Sequence, residues 1–159
     1  MVKGISRQSG SEWCWEVDSG KNAQEGDKIE LAVCDETNEN QLFEKNLFTN
    51  TDGTNYISLA PKVEESYLVG VREDPNTGEY DGRSWLRIEP PTAIVDGTQY
   101  FFLNANDGTV YTGASEEYIV TTFGMAPKIG SPVMLQSRSQ ASNADKIIAW
   151  SLVSAADGV

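Results

Sequence analysis

Histidine is absent from this chain of 159 residues. That removes the Ser-His-Asp and Cys-His nucleophilic pairs, zinc held by imidazole, and the commonest general base. Cysteine is scarce: Cys14 and Cys34 are the only two, too few for a four-thiolate metal centre. Basic residues are also few, 12 against 24 acidic ones, for a net charge of −12. Such a field repels phosphate backbones and anionic lipid surfaces, so neither nucleic-acid binding nor membrane insertion is expected. No apolar run approaches the roughly 18 residues that cross a bilayer. Residues 1–7 have no apolar h-region, so no secretory signal is expected here. These absences point away from an enzyme, a metal or a cofactor, and towards a recognition or structural domain.

What the sequence does contain is turn chemistry. Its 14 glycines recur with Asp, Asn, Thr and Ser in short clusters. Between the clusters lie short runs of β-forming residues at 28–33, 66–71, 85–88, 99–103, 118–122 and 132–135. Several alternate apolar and polar residues, the mark of a half-buried strand, and no window holds a helical stripe over three turns. An apolar content of 39% supports one core, and the length fits a single domain over residues 1–159. The chain reads as all-β.

Internal repetition is the strongest pattern. Gly4-Ile5, Asp52-Gly53-Thr54 and Asp107-Gly108-Thr109 open three similar segments, about 1–50, 51–105 and 106–159. Each continues with a strand, a turn, and a second strand whose apolar pair is Ile29/Leu31, Leu86/Ile88 or Val133/Leu135. Each closes on an aromatic: Gln41-Leu42-Phe43, Gln99-Tyr100-Phe101 and Ile148-Ala149-Trp150. Three four-strand units of this kind can close a small barrel with a hairpin cap, Phe43, Phe101 and Trp150 sharing the centre.

The first unit, Cys14-Trp15-Glu16-Val17 through Cys34 to Asn40-Gln41-Leu42-Phe43, resembles a repeat of the ricin B-type lectin family. The family pattern is Cys-x-Asp-Val, a glycine-rich turn, an apolar-x-Leu strand, a second cysteine and Asn-Gln-x-Trp. The resemblance implies a β-trefoil, three pseudo-repeats of about 50 residues around a threefold axis. It also implies a disulfide between Cys14 and Cys34, and an extracellular setting if that bond forms. The alternative is a pair of reduced, buried thiols.

In sugar-binding members, a carboxylate two residues after the first cysteine accepts bonds from vicinal hydroxyls. An aromatic ring on the second strand stacks on the sugar, and the Asn-Gln pair completes the clamp. Carried over, the carboxylate is Glu16, the amides are Asn40 and Gln41, and Glu30 stands where the family often has an amide. The ring position is Ala32, so the stacking platform is missing. The second and third units put Gly70 and Thr121 at the carboxylate position and Thr98 and Ile147 at the amide position. The implied function is therefore weak or altered binding of a galactose-like sugar, confined to the first unit. The rival is a protein-interaction trefoil working through residues 73–82 or 137–145.

Three further features have plain readings. Residues 74–82 are rich in carboxylates but fail the EF-hand pattern, because Gly78 stands where a ligand belongs. Trp13 and Trp15 share one strand face as aromatic cover, while Tyr80 and Trp85 are alternative ring platforms. Glu64-Glu65 and Glu116-Glu117 read as solvated turns.

Overall fold

The computed structural model describes residues 1–18, 22–49, 51–71, 84–91, 99–112, 116–142 and 145–154. Twelve strands occur among them. The first six are β1 (Val2–Ile5), β2 (Glu12–Val17), β3 (Ile29–Ala32), β4 (Phe43–Thr49), β5 (Asn55–Pro61) and β6 (Leu68–Val71). There follow β7 (Leu86–Glu89), β8 (Phe101–Leu103), β9 (Val110–Thr112), β10 (Tyr118–Thr122), β11 (Val133–Ser137) and β12 (Trp150–Leu152). A single-turn helix, α1 (Arg138–Ala141), interrupts the last unit. The runs expected to be strands fall on β3, β6, β7, β8, β10 and β11. Their alternation has the anticipated cause: along Leu86-Arg87-Ile88-Glu89 the apolar side chains are buried and the polar ones half-buried.

The strands divide by role. Strands β2–β3, β6–β7 and β10–β11 form antiparallel hairpins, and β12–β1 and β4–β5–β8–β9 supply a barrel wall. Three isolated bridges, Lys28↔Arg87, Glu30↔Pro132 and Trp85↔Met134, join the second strand of each hairpin to the others. The hairpins therefore meet around a pseudo-threefold axis, capping the barrel in the manner of a β-trefoil. Ile29/Leu31, Leu86/Ile88 and Val133/Leu135 all lie buried in the shared core.

Of the closing aromatics, Phe101 and Trp150 are core residues, whereas Phe43 only packs against the core from its margin. The reason is local. Among the described residues no ladder joins β1 to β4, and Phe43 lines the resulting cleft of about 260 Å³ with Val2, Leu42, Leu59 and Leu152. Trp150 is enclosed instead. Its ring meets Trp15 edge-on at 5.4 Å between centroids. Its Nε1 donates to the Val120 carbonyl at 2.9 Å.

The three opening glycines are not equivalent, which corrects the alignment. Gly53 and Gly108 sit in turns at φ of 86° and 75°. There Asp52 and Asp107 accept the amides of Thr54 and Thr109 at 2.9 and 3.0 Å, the Asx turn that launches β5 and β9. Gly4 lies inside β1, where a Cβ would stand 2.7 Å from the Trp150 ring.

The glutamines before the closing aromatics share a structural duty. Gln41 Nε2 donates to the Val33 carbonyl at 2.9 Å and Gln99 Nε2 to the Pro90 carbonyl at 2.9 Å. Both are buried, and each ties the chain leaving a hairpin to the strand entering the barrel. Cys14 and Cys34 are bonded, with Cα atoms 5.0 Å apart, and hold the first hairpin at the same level.

Two stability experiments follow. Trp150→Ala removes a buried indole and a buried hydrogen bond, so a loss of about 3–5 kcal/mol is expected in urea unfolding. An unchanged midpoint would place Trp150 outside the core. Reducing the Cys14–Cys34 bond is expected to cost roughly 3 kcal/mol, judged from its loop length. Unfolding with and without reductant, paired with a two-dalton mass shift, reads this directly.

Candidate functional site

The residues implied as a sugar clamp come together on the first hairpin. Glu16 on β2 stands opposite Glu30 on β3 in the antiparallel register, two residues along from the Cys14↔Ala32 pair beside the disulfide. Pleating sends Trp15 and Leu31 to the core and Glu16 and Glu30 to the other face. The outer edge of β3 is covered by the third unit: Leu31 exchanges backbone bonds of 2.9 Å with residues 130 and 131. Glu30 is thus flanked by Glu16 on one side and by Gly130 to Pro132 on the other.

A single turn of 3-10 helix, Glu39–Gln41, supplies the amides. Asn38 caps it, its side chain accepting the Asn40 backbone N–H at 3.0 Å. That places the Asn38 amide against the carboxylate: Nδ2 donates to Glu16 Oε1 at 2.6 Å. Gln41 Nε2 reaches the same oxygen at 3.5 Å. Its remaining capacity serves the backbone, since Gln41 Oε1 accepts the Asp35 N–H at 2.8 Å. Glu16 Oε2 has no partner among the described residues.

Two expectations are corrected by this geometry. The amide that meets Glu16 directly is Asn38, because the capping turn brings position 38, and not Asn40, over the carboxylate. Gln41 is a buried latch that orients Glu16, with no surface left to offer a ligand. Asn40 is half-buried beside them. Ala32 is buried and provides no ring, as its side chain dictates.

Charge is concentrated here. Burial pushes the Glu30 carboxyl above its ordinary range, and the neighbouring Asp18 and Glu16 carboxylates push it further. Lys28 opposes that shift, but its ammonium also lies over the Trp85 ring at 5.1 Å. Trp85 in turn packs edge-on against Phe123 at 5.4 Å, so it covers the cap and is not a platform for this clamp. Trp15 is core, and Trp13 packs on its margin with Nε1 bonded to Ser11 at 2.9 Å. Tyr80, Thr98, the carboxylate-rich stretch 74–82 and the whole of the loop 73–82 lie outside the described residues.

Elsewhere, Glu116 keeps a solvent-exposed side chain but is also bonded within the fold. Its Oε2 takes Arg138 Nη2 at 2.8 Å and Asn104 Nδ2 at 3.2 Å. The polar stretch 137–145 includes α1, capped by Ser137 and anchored by buried Ala141. Among the described residues no group of three or more His, Cys, Asp or Glu is arranged to hold a metal ion. Nor is any helix among them long and apolar enough to cross a membrane.

The acidic crowding makes a pH-dependent prediction. A carboxyl whose pKa is raised by folding favours the fold below its unfolded value, and that contribution is lost as pH rises through the folded value. Glu30→Gln abolishes the titration. The variant is expected to melt above the wild type at neutral pH and to match it below the ordinary glutamate range. Paired thermal melts at the two pH values measure the difference, and equal shifts at both would assign the effect to packing.

No protein-family model matches the chain, and no curated protein sequence does. Solved structures do resemble it. A designed threefold-symmetric protein, ThreeFoil, superposes with a TM-score of 0.63 at 15% identity, covering 96% of this chain and 98% of that one. The C-terminal half of an earthworm R-type lectin, solved with GalNAc, gives 0.56 at 13% identity over 94% and 98%. The β-trefoil lectin of the Vibrio vulnificus hemolysin/cytolysin, solved with N-acetyl-D-lactosamine, gives 0.55 at 13% identity over 96% and 95%. At these identities the likeness is one of fold, and that fold is the β-trefoil.

Proposed function

We propose that the protein is a non-enzymatic carbohydrate-recognition module whose first unit binds a galactose-like sugar weakly. The observation that carries this reading is the orientation of Glu16. Asn38 and Gln41 both hold Oε1, leaving Oε2 to accept from a ligand hydroxyl. Glu30, directly across the ladder, supplies a second acceptor and, when protonated, a donor. The Asn40 amide completes a set suited to two adjacent hydroxyls. Structural neighbours solved with GalNAc and N-acetyl-D-lactosamine support the same class of ligand.

Affinity is limited by what the site lacks. With Ala32 in the ring position, the sugar's C–H face stays against water, forgoing a contact worth about 25 cal/mol per Å² of apolar area. Binding in the millimolar range is the consequence. The disulfide suits an oxidising compartment, where such ligands are displayed.

Titration with galactose, GalNAc and lactose, followed by amide NMR, tests the assignment. Shifts are expected at Glu16, Glu30 and Asn40, and Glu16→Gln is expected to weaken binding by about tenfold, the loss of one charge-assisted hydrogen bond. Shifts confined to the second or third unit would overturn the site. Silence with every sugar, together with a tight protein partner, would favour an interaction module.

A further inference from the structure

The gap in the barrel wall beside β4 combines apolar walls with positive charge. β4 ends its sheet and is laddered to β5 alone among the described residues. Ladder partners share a face, so Lys45 and Leu47 stand on the side where Leu59 and Ile57 meet the core. Phe43, on the same face, is half-buried, but Lys45 is exposed and Leu47 is 64% exposed. The cleft of about 260 Å³ left there is walled by Val2, Leu42, Phe43, Leu59, Leu152 and Val153. A lysine therefore occupies an inward position in an otherwise apolar recess.

Both charges at the cleft are positive. Lys45 has no ion pair among the described residues. Met1, which also lines the cleft, is held in place by reciprocal backbone bonds. Its ammonium donates to the Val153 carbonyl at 2.9 Å, and its carbonyl accepts the Val153 N–H at 2.9 Å. Burial pulls that amine below its ordinary pKa, a cost that an anion beside it offsets. No carboxylate lines the cleft, although acidic side chains outnumber basic ones by 24 to 12. The pleat turns Glu44, next to Lys45 in the chain, to the opposite face.

We infer that this cleft binds a small aliphatic monocarboxylate, its head group met by Lys45 and the terminal ammonium and its tail laid against Val2, Leu59 and Leu152. Each half of such a ligand answers one property of the cleft. The tail removes from water the aliphatic surface that β4 leaves uncovered. The head supplies the negative charge that the lining lacks, while the net charge of −12 on the whole chain penalises a polyanion. At about 30 Å³ per heavy-atom group the volume takes roughly nine groups, a chain of about eight carbons. The walls belong to β1, β4, β5 and β12 and their flanks, whereas Glu16 and Glu30 lie on β2 and β3. The cleft and the sugar clamp therefore fail or succeed separately. An inward lysine also blunts a strand edge against pairing with a second chain, a duty that the test separates from binding.

The full chain is titrated with octanoate, and with 1-octanol, octylamine and acetate as probes of tail and head, at mildly acidic pH. Amide NMR is expected to show octanoate shifts at Val2, Phe43, Lys45, Leu59 and Leu152. Octanoate is expected to bind about tenfold tighter than octanol, with acetate and octylamine giving no shifts. Lys45→Met keeps an unbranched apolar stem and removes the charge. It is expected to weaken octanoate about tenfold and to leave octanol unchanged. Lys45→Glu is expected to reverse the preference, losing octanoate and gaining octylamine. Because Lys45 is exposed, both variants are expected to keep the wild-type circular dichroism and melting temperature. The inference is overturned if octanoate shifts none of these amides, or if octanol binds as tightly as octanoate. It is also overturned if Lys45→Met keeps the octanoate affinity and instead forms a concentration-dependent dimer in sedimentation, which would assign the lysine to guarding the strand edge.

Discussion

The indole of Trp150 is enclosed where β12, β1 and the first and third hairpins converge, and its demands propagate outward. The ring needs β1 to pass without a side chain, which Gly4 provides. It needs Trp15 at its edge, which fixes the face that β2 turns to the core. Its N–H needs the Val120 carbonyl, which fixes the height of β10. Once β2 is oriented this way, the period-two alternation leaves Glu16 no choice but the outer face. The outward placement of Glu16 and Glu30 is in this sense a by-product of packing one tryptophan.

Much of this was legible in the sequence because apolar spacing and turn chemistry act locally. The pairs Ile29/Leu31, Leu86/Ile88 and Val133/Leu135 signalled three equivalent buried strands, and the Asp-Gly-Thr turns before β5 and β9 were visible as such. Gly4 resembled those turns only in letter. Its role comes from an indole that is distant in sequence and adjacent in space, a contact no local pattern reveals. Asn38 was passed over for the same kind of reason. The resemblance pointed to Asn40, but the capping preference of the 3-10 turn decides which amide reaches Glu16, and capping residues are placed by backbone geometry. The cleft beside β4 was hidden differently: its walls come from four strands, and only the ladder register puts Lys45 on their side.

The two candidate surfaces differ in physical character. On the first hairpin, carboxylates crowd together and one of them resists ionisation. What this face offers is hydrogen-bonding capacity at closely spaced carboxylates. At the cleft in the barrel wall the dominant resource is apolar area, and the charges beside it are positive. Pseudo-threefold symmetry does not require such divergence; it permits it, because each unit's outer face is free to vary while its inner face is held by the shared core.

The pairing of β12 with β1 has a consequence for how the chain is made. One edge of β1 pairs with β2, and on the other Val2 to Gly4 pair with Trp150 to Leu152. The terminal ammonium donates to the Val153 carbonyl across a separation of 152 residues. During synthesis the first strand therefore waits for β12 before one of its edges is paired, and Trp15 waits with it for the ring that completes its packing. This closure is strongly non-local in sequence and a slow event. In the interval the growing chain holds an unpaired strand edge and an open apolar centre, the conditions under which a chaperone has most to do.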